Sequence, residues 1–274
     1  LKYSVDWGYG DEFEKWIETE NHFTNTLVDR IVTGYPRDNA KEMEQSYGYL
    51  DDMIDTAEIF HLWVIEGDKK LAEEIPFHKI GLNVLWTDDV TPYKKRKVRI
   101  LNGAHTMTVL AAHLVGLETV KDAMDDELVF SFMKQGIFEE IIPTLDLPKN
   151  ELEQFANDVI ERFKNPFIKH YLLSIALNSV SKYKVRVLPS VLEYIKEKNC
   201  EPKRLAALIA FYRTDAANDD KTVMEFMKTA SAEDILKKTE YWGEDLSFLL
   251  PTVQKHLDEI EKNGIRKAME KVVD

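Results

Sequence analysis

Lys97, Asn102 and His105 sit at the head of KVRILNGAHTMTVLAAHLVGL, residues 97–117, a stretch that is otherwise apolar and reads as a core helix. At about 100° per residue, with Lys97 at zero, Asn102 falls near ~140° and His105 near ~80°, so the three side chains can converge on one ligand. Each type suits one part of an alcohol-to-carbonyl reaction. A lysine in a partly dry site, with Lys95, Arg96 and Arg99 close in sequence, is expected to be pushed below its usual pKa of about 10.4 by desolvation and like charge. It can then exchange a proton with an alcohol. An asparagine amide donates to an alkoxide or carbonyl oxygen, and a neutral imidazole can hold the same oxygen. The plain alternative is that Lys97 and Arg99 are a solvated helix entry, Asn102 bonds locally and His105 is a satisfied core histidine.

The elements that must hold these groups are mainly helical. Apolar positions three and four apart recur over 97–116, 118–142, 149–164, 167–184, 189–198, 202–216, 220–229, 231–239 and 246–271, with prolines such as Pro148, Pro166, Pro189 and Pro202 at the breaks. Ser231, Asn150 and Glu201 are placed to start helices, the last with Pro202 in the first turn. The Lys/Glu-rich tail EIEKNGIRKAMEKVVD is amphipathic and is expected to be a solvated terminal helix.

Residues 11–19 and 38–47 also read as helix. Between them, Asp29 and Arg30 interrupt the apolar run NTLVDRIVTGYP, so at least one of them is expected to be half-buried and paired, and Gly34-Tyr35-Pro36 ends the run. The segment 58–96 differs in character: FHLWVIEG and LNVLWTDD are rich in aromatic and β-branched residues and predict a small sheet of two to four strands. His61, Trp63 and Trp86 are expected to pack rather than react. The expected fold is therefore mainly α, a multihelical domain with a small β-sheet over about 58–96.

Composition bounds the function. The 274 residues are 44% hydrophobic, enough for a sizeable core, and a formal charge of −13 argues against sequence-independent binding of nucleic acid or anionic membrane. A single cysteine, Cys200, excludes an internal disulfide and cysteine-rich zinc sites, and no spacing such as H-E-x-x-H points to a metal. No apolar run reaches about 18 residues and no leader pattern opens the chain, so the expected location is the cytoplasm. The chain begins at Leu1 without a strand, and its 11 glycines include no G-x-G-x-x-G.

The string K-x4-N-x2-H formed by Lys97, Asn102 and His105 resembles the motif of the polyol-specific long-chain dehydrogenases, the mannitol dehydrogenase family. The segments NTLVDRIVTGYPRD (25–38), WVIEG (63–67), GLNVLWTDDVTPYKKRKVRILNGAH (81–105) and NPFIKHYLLSIALNSVSKYKVRVLPS (165–190) extend the resemblance, in order, from about residue 20 to about 215. They are similar to the branch of that family that interconverts D-tagaturonate and D-altronate with NAD.

The resemblance implies a C-terminal helical domain like that of 6-phosphogluconate dehydrogenase. Lys97 would be the acid/base, Asn102 and His105 would bind the reacting oxygen, and Asp29 would tune their charge. Residues 1–274 would then be the substrate domain alone, with the Rossmann unit and most of the NAD site outside this chain as its natural partner. Lys182 and Arg186, at the cationic end of an apolar helix, are candidates for the carboxylate of a hexuronate or aldonate substrate, with His170 and Asn25 as further candidates. The same two cations also suit a helix C-terminus by complementing its dipole. Two other readings stay open: a fructuronate, mannonate or mannitol type of dehydrogenase, and a helical piece without catalysis.

Overall fold

The computed structural model describes residues 1–214, 216 and 220–274, and the chain forms two compact units: 1–30 with 60–93, and 31–59 with 94–274. Its strands in chain order are β1 (Thr26–Asp29), β2 (Val32–Gly34), β3 (Thr56–Ala57), β4 (Leu62–Glu66) and β5 (Val84–Thr87).

In the first unit β1, β4 and β5 form one sheet in that order. The antiparallel pair sets Leu27 opposite Val64 and Asp29 opposite Leu62. In the parallel pair Val64 faces Leu85. A parallel pair needs a crossover, supplied by the short helix Leu71–Glu74 and the 3₁₀ turn Phe77–Ile80. Leu27, Val64 and Val90 are the buried centre, with Leu62 and Tyr93 against them. The sheet expected within 58–96 therefore recruits β1 from the apolar run before it. The alternation in that run carries the reason: Leu27 and Asp29 point inward, while Val28 and Arg30 point out. Trp63 packs on Phe77, and His61 Nε2 accepts a hydrogen bond from the Asn83 amide.

The second unit is the helical body. The helix Thr91–Arg96 continues into a π-helical segment, Lys97–Asn102, and then into Gly103–Leu114, which is buried from Gly103 to Ala112. Around the buried helix pack Leu172–Ala176, Ser179–Arg186 and Glu127–Gln135, and Lys149–Phe163 packs on the π segment. A capping box at Thr119 and the Asp126 side chain start the next two helices, and Ser231 caps Ala232–Leu236 as expected. The helix expected over 149–164 does begin at Lys149, but its cap is Pro148 rather than Asn150. The helix after Pro202 spans Lys203–Ala207 and tightens to a 3₁₀ turn, Leu208–Tyr212; Asp215, inside the expected 202–216, lies outside the described residues.

Several expectations change, and 118–142 divides into Val120–Asp125, Glu127–Gln135 and the π-helical turn Gly136–Ile141. The stretch 167–184 is not one helix: it breaks into Leu172–Ala176 and Ser179–Arg186 around Asn178, whose φ of 56° is left-handed. Ahead of the break, residues 168–171 are extended because they pair with the turn before the next helix: Val120 N–H donates to the His170 carbonyl, and Leu172 N–H to that of Glu118. The tail is not a solvated helix either. Gly264 ends the helix Leu250–Asn263, and Ile265–Val273 then buries Ala268 and sets Met269 and Val272 in the main core, with Arg266 bonded to Asp126 at 2.9 Å. Among the described residues no helix is long and apolar enough to cross a membrane.

Candidate active site

The π segment changes the geometry of the motif. Its i→i+5 hydrogen bonds put about 4.4 residues in a turn, so Asn102 stands little more than one turn from Lys97, and the arc holding Lys97, Asn102 and His105 narrows from roughly 140° to roughly 60°. Lys97 and Asn102 are half-buried and His105 is 7% exposed. The Asn102 carbonyl accepts from Thr106 Oγ1 at 2.9 Å, which fixes the start of the buried helix.

Two other cations of the stretch, Lys95 and Arg99, meet carboxylates. Lys95 meets Asp146 at 2.8 Å and Glu193 at 3.7 Å. Arg99 donates to Ser190 Oγ at 2.8 Å and approaches Glu193 at 3.6 Å.

His105 Nε2 is buried and has no hydrogen-bond partner within the protein, an arrangement that costs about 1–3 kcal/mol unless a ligand completes it. Its ring lies flat against Phe163 and edge-on to His170, 5.1 Å between centres. Burial pushes the His105 imidazole well below its usual value, and His170, Arg186, Arg162 and Lys182 push in the same direction. His170 is brought down to about 4 by burial. Both rings are neutral at neutral pH, and the surroundings of His105 favour negative charge in a ligand.

Lys182 and Arg186 belong to this neighbourhood but differ in freedom. The Lys182 ammonium donates to the Ile175 carbonyl at 2.7 Å, closing the end of the preceding short helix. Arg186 reaches Thr106 Oγ1 at 3.4 Å, one turn from Asn102. This approach depends on Gly103, where a Cβ would stand 3.4 Å from the Arg186 carbonyl oxygen.

Of the expected residues, the second unit holds Lys97, Asn102, His105, His170, Lys182 and Arg186; Asn25 and Asp29 belong to the first. There Asp29 is buried at the end of β1, and Asn25 is exposed, its carbonyl accepting from the Glu66 amide. Sequence reasoning missed Glu58, Arg162 and Phe163. Arg162 grips Glu58 with Nη2–Oε1 at 2.6 Å and Nε–Oε2 at 3.0 Å, and Glu58 Oε1 also accepts the Ile31 amide at 2.7 Å. The available signal was a charged residue between Ile160 and Phe163 on an apolar helix face, which alone does not name its partner.

Lys97, Asn102 and the neutral His105 share one face at the head of a buried helix in a helical body, residue types that suit alcohol and carbonyl chemistry. The profile of the mannitol dehydrogenase C-terminal domain matches residues 89–266, and that of the mannitol dehydrogenase Rossmann domain matches residues 1–79. The chain belongs to the mannitol dehydrogenase family.

It is 44% identical to the altronate oxidoreductase of Shigella flexneri over 98% of its own length and 61% of that protein. It is 45% identical to that of Enterobacter sp. (strain 638), over 99% and 62%. The chain thus spans about three fifths of these relatives. A substrate-free D-sorbitol dehydrogenase superposes with a TM-score of 0.76 at 29% identity, over 94% of this chain and 56% of that one. The Pseudomonas fluorescens mannitol 2-dehydrogenase, a ternary complex with NAD and D-mannitol, shares the fold at a TM-score of 0.76 and 21% identity, over 96% of this chain and 56% of that one.

The Rossmann match corrects the expectation that none of that unit is in this chain: the first 79 residues, with β1 and β4, align with it. The turn after β4 has no G-x-G-x-x-G, and the helix behind it is acidic. After β4 the turn Gly67-Asp68-Lys69-Lys70 leads into a four-residue helix with Glu73 and Glu74 in its first turn, and Asp68 already takes the Lys70 amide at 2.9 Å. A Cβ on Gly67 would stand 3.3 Å from the Thr24 side chain and 3.4 Å from Trp86, so the glycine serves packing within this unit.

Proposed function

We propose that the protein is an NAD-dependent oxidoreductase of sugar acids that interconverts D-tagaturonate and D-altronate. The observation that carries this reading is the buried, unpartnered Nε2 of a neutral His105 on the helix face shared with Lys97 and Asn102, within reach of the field of Arg186, Lys182 and Arg162. The 44% identity to altronate oxidoreductase over nearly the whole chain supports the substrate class.

Lys97 protonates the carbonyl oxygen in reduction and takes the proton back in oxidation. Asn102 and His105 hold that oxygen while its charge develops. Arg186 receives the substrate carboxylate, with Lys182 adding charge from its fixed position. His170 meets substrate hydroxyls, while charge tuning by Asp29 and substrate contact by Asn25 rest on the family resemblance alone. NAD enters as the redox partner on family grounds; the residues described above account for the proton and the orientation only.

The test is oxidation of NADH with D-tagaturonate, D-fructuronate and D-fructose. Preference for D-tagaturonate supports the reading. Preference for D-fructuronate moves the substrate within the acids, and activity with D-fructose alone overturns the sugar-acid assignment in favour of a neutral polyol.

A further inference from the structure

We propose that Phe163 is a positioning residue for His105, and that the buried Glu58–Arg162 pair holds Phe163 in register. The inference rests on the reading of His105 as a holder of the reacting oxygen. The ring centres of His105 and Phe163 are 4.1 Å apart and their planes differ by 12°, with Phe163 4% exposed.

Core histidines are ordinarily oriented by hydrogen bonds through their ring nitrogens. Nε2 of His105 has no such bond. The second side-chain torsion of histidine is broad and intrinsically weakly specified, so packing must choose the plane. Phe163 closes one face of the imidazole and His170 stands against it at 86°. The lone pair and the N–H of an imidazole lie in the ring plane, and the plate under the ring therefore decides where they point.

Phe163 itself stands where order is hardest to keep, as the last residue of the helix Lys149–Phe163. Helix ends leave carbonyls unpaired and fray. Arg162, next to it, is locked: its guanidinium meets Glu58 through both Nε and Nη2. Glu58 is tied in turn to Ile31 twice, accepting its amide at 2.7 Å and donating to its carbonyl at 3.0 Å. A segment distant in sequence thus clamps the helix end that carries the plate.

The experiment reads the His105 ring protons in side-chain ¹H–¹³C spectra of this chain, assigned with H105N. In the wild type they carry the upfield ring-current shift of a stacked phenyl. Phe163→Leu loses that shift, Phe163→Tyr keeps it, and Glu58→Gln, which retains the bulk but not the charge, moves the signal in the same direction as Phe163→Leu. In turnover, Phe163→Leu lowers kcat about 10- to 100-fold, the scale of a misplaced catalytic contact, with KM changed less than about threefold, and Phe163→Tyr restores it.

His105 signals that ignore Phe163→Leu or Glu58→Gln in folded protein would overturn the proposal, as would wild-type kcat in folded Phe163→Leu. A purely structural role predicts lower Tm with His105 signals unmoved in the folded fraction. If the shifts follow Phe163 while His105→Ala keeps full turnover, the plate stands and the oxygen-holding role of His105 falls.

Discussion

His170 meets the ring of His105 edge-on, 5.1 Å between centres and 86° between planes, although the two lie 65 positions apart in the chain. The extended segment that carries His170 is held by its backbone bond to Val120. His105 cannot take a proton without placing a cation beside His170 and in the field of Arg186 and Arg162, and burial keeps His170 unprotonated as well. The pair is therefore a neutral surface at the working pH, suited to hydrogen bonding rather than to charge.

That neutrality has a stability signature. His170 and His256 are each held down to about 4 by burial, against about 6.5 in the unfolded chain. Between these values the unfolded chain binds protons that the folded one refuses, at about 1.4 kcal/mol per pH unit and group. Their contribution is complete above about pH 6.5 and lost as the pH falls through 4. Thermal unfolding across pH 7.5 to 4.5 should show Tm falling with acid, and His170→Asn should flatten the slope; an unchanged slope would refute the assignment to His170.

Lys97→Ala should lower kcat for D-tagaturonate reduction by about 10²- to 10⁴-fold, the usual worth of a positioned acid/base, with far-UV circular dichroism unchanged. Steady-state kinetics at neutral pH check this, and turnover within a few-fold of wild type would remove Lys97 from the mechanism.

Arg186→Met should cost about 10- to 100-fold in kcat/KM for a uronate, the worth of a charge-assisted hydrogen bond, and far less for a neutral ketose. Lys182→Met should discriminate less, since its ammonium is occupied by the Ile175 carbonyl. Equal losses on acid and neutral substrates would place Arg186 outside the carboxylate subsite.

Arg162→Met should destabilise the fold by about 3–5 kcal/mol because it strands the Glu58 carboxylate, whereas Glu58→Leu combined with Arg162→Met should recover much of that loss. Urea unfolding of the three variants reads the difference, and additivity of the two single effects would show that the pair is not coupled.

Met269→Ala should cost about 2–5 kcal/mol, as expected of a fully buried side chain, while Lys267→Ala on the exposed face should stay within about 0.5 kcal/mol. Both are measured by urea denaturation. A silent Met269→Ala would mean that the terminal helix is not part of the core.

The sequence alone determined what local rules determine. Apolar spacing three and four apart places the core helices, Ser231 starts its helix as its capping oxygen requires, and the aromatic and β-branched runs at 62–66 and 84–87 become strands. Lys97, Asn102 and His105 were legible as a group because one helix carries them and periodicity fixes their common face.

What remained belongs to contacts between segments far apart in the chain. The π turn that tightens the motif has i→i+5 bonds that no residue pattern here announces. The carboxylates that meet Lys95 and Arg99 come from residues 146 and 193. Glu58, Arg162 and Phe163 acquire their roles only where residues 31, 58, 105 and 162–163 meet. The tail helix shows the same limit, for its amphipathic pattern defines an apolar face and not the surface that covers it. Burial and charge pairing at such meeting points are properties of the folded packing, and it is packing that decides which ring plane His105 presents and which cation is left for a substrate.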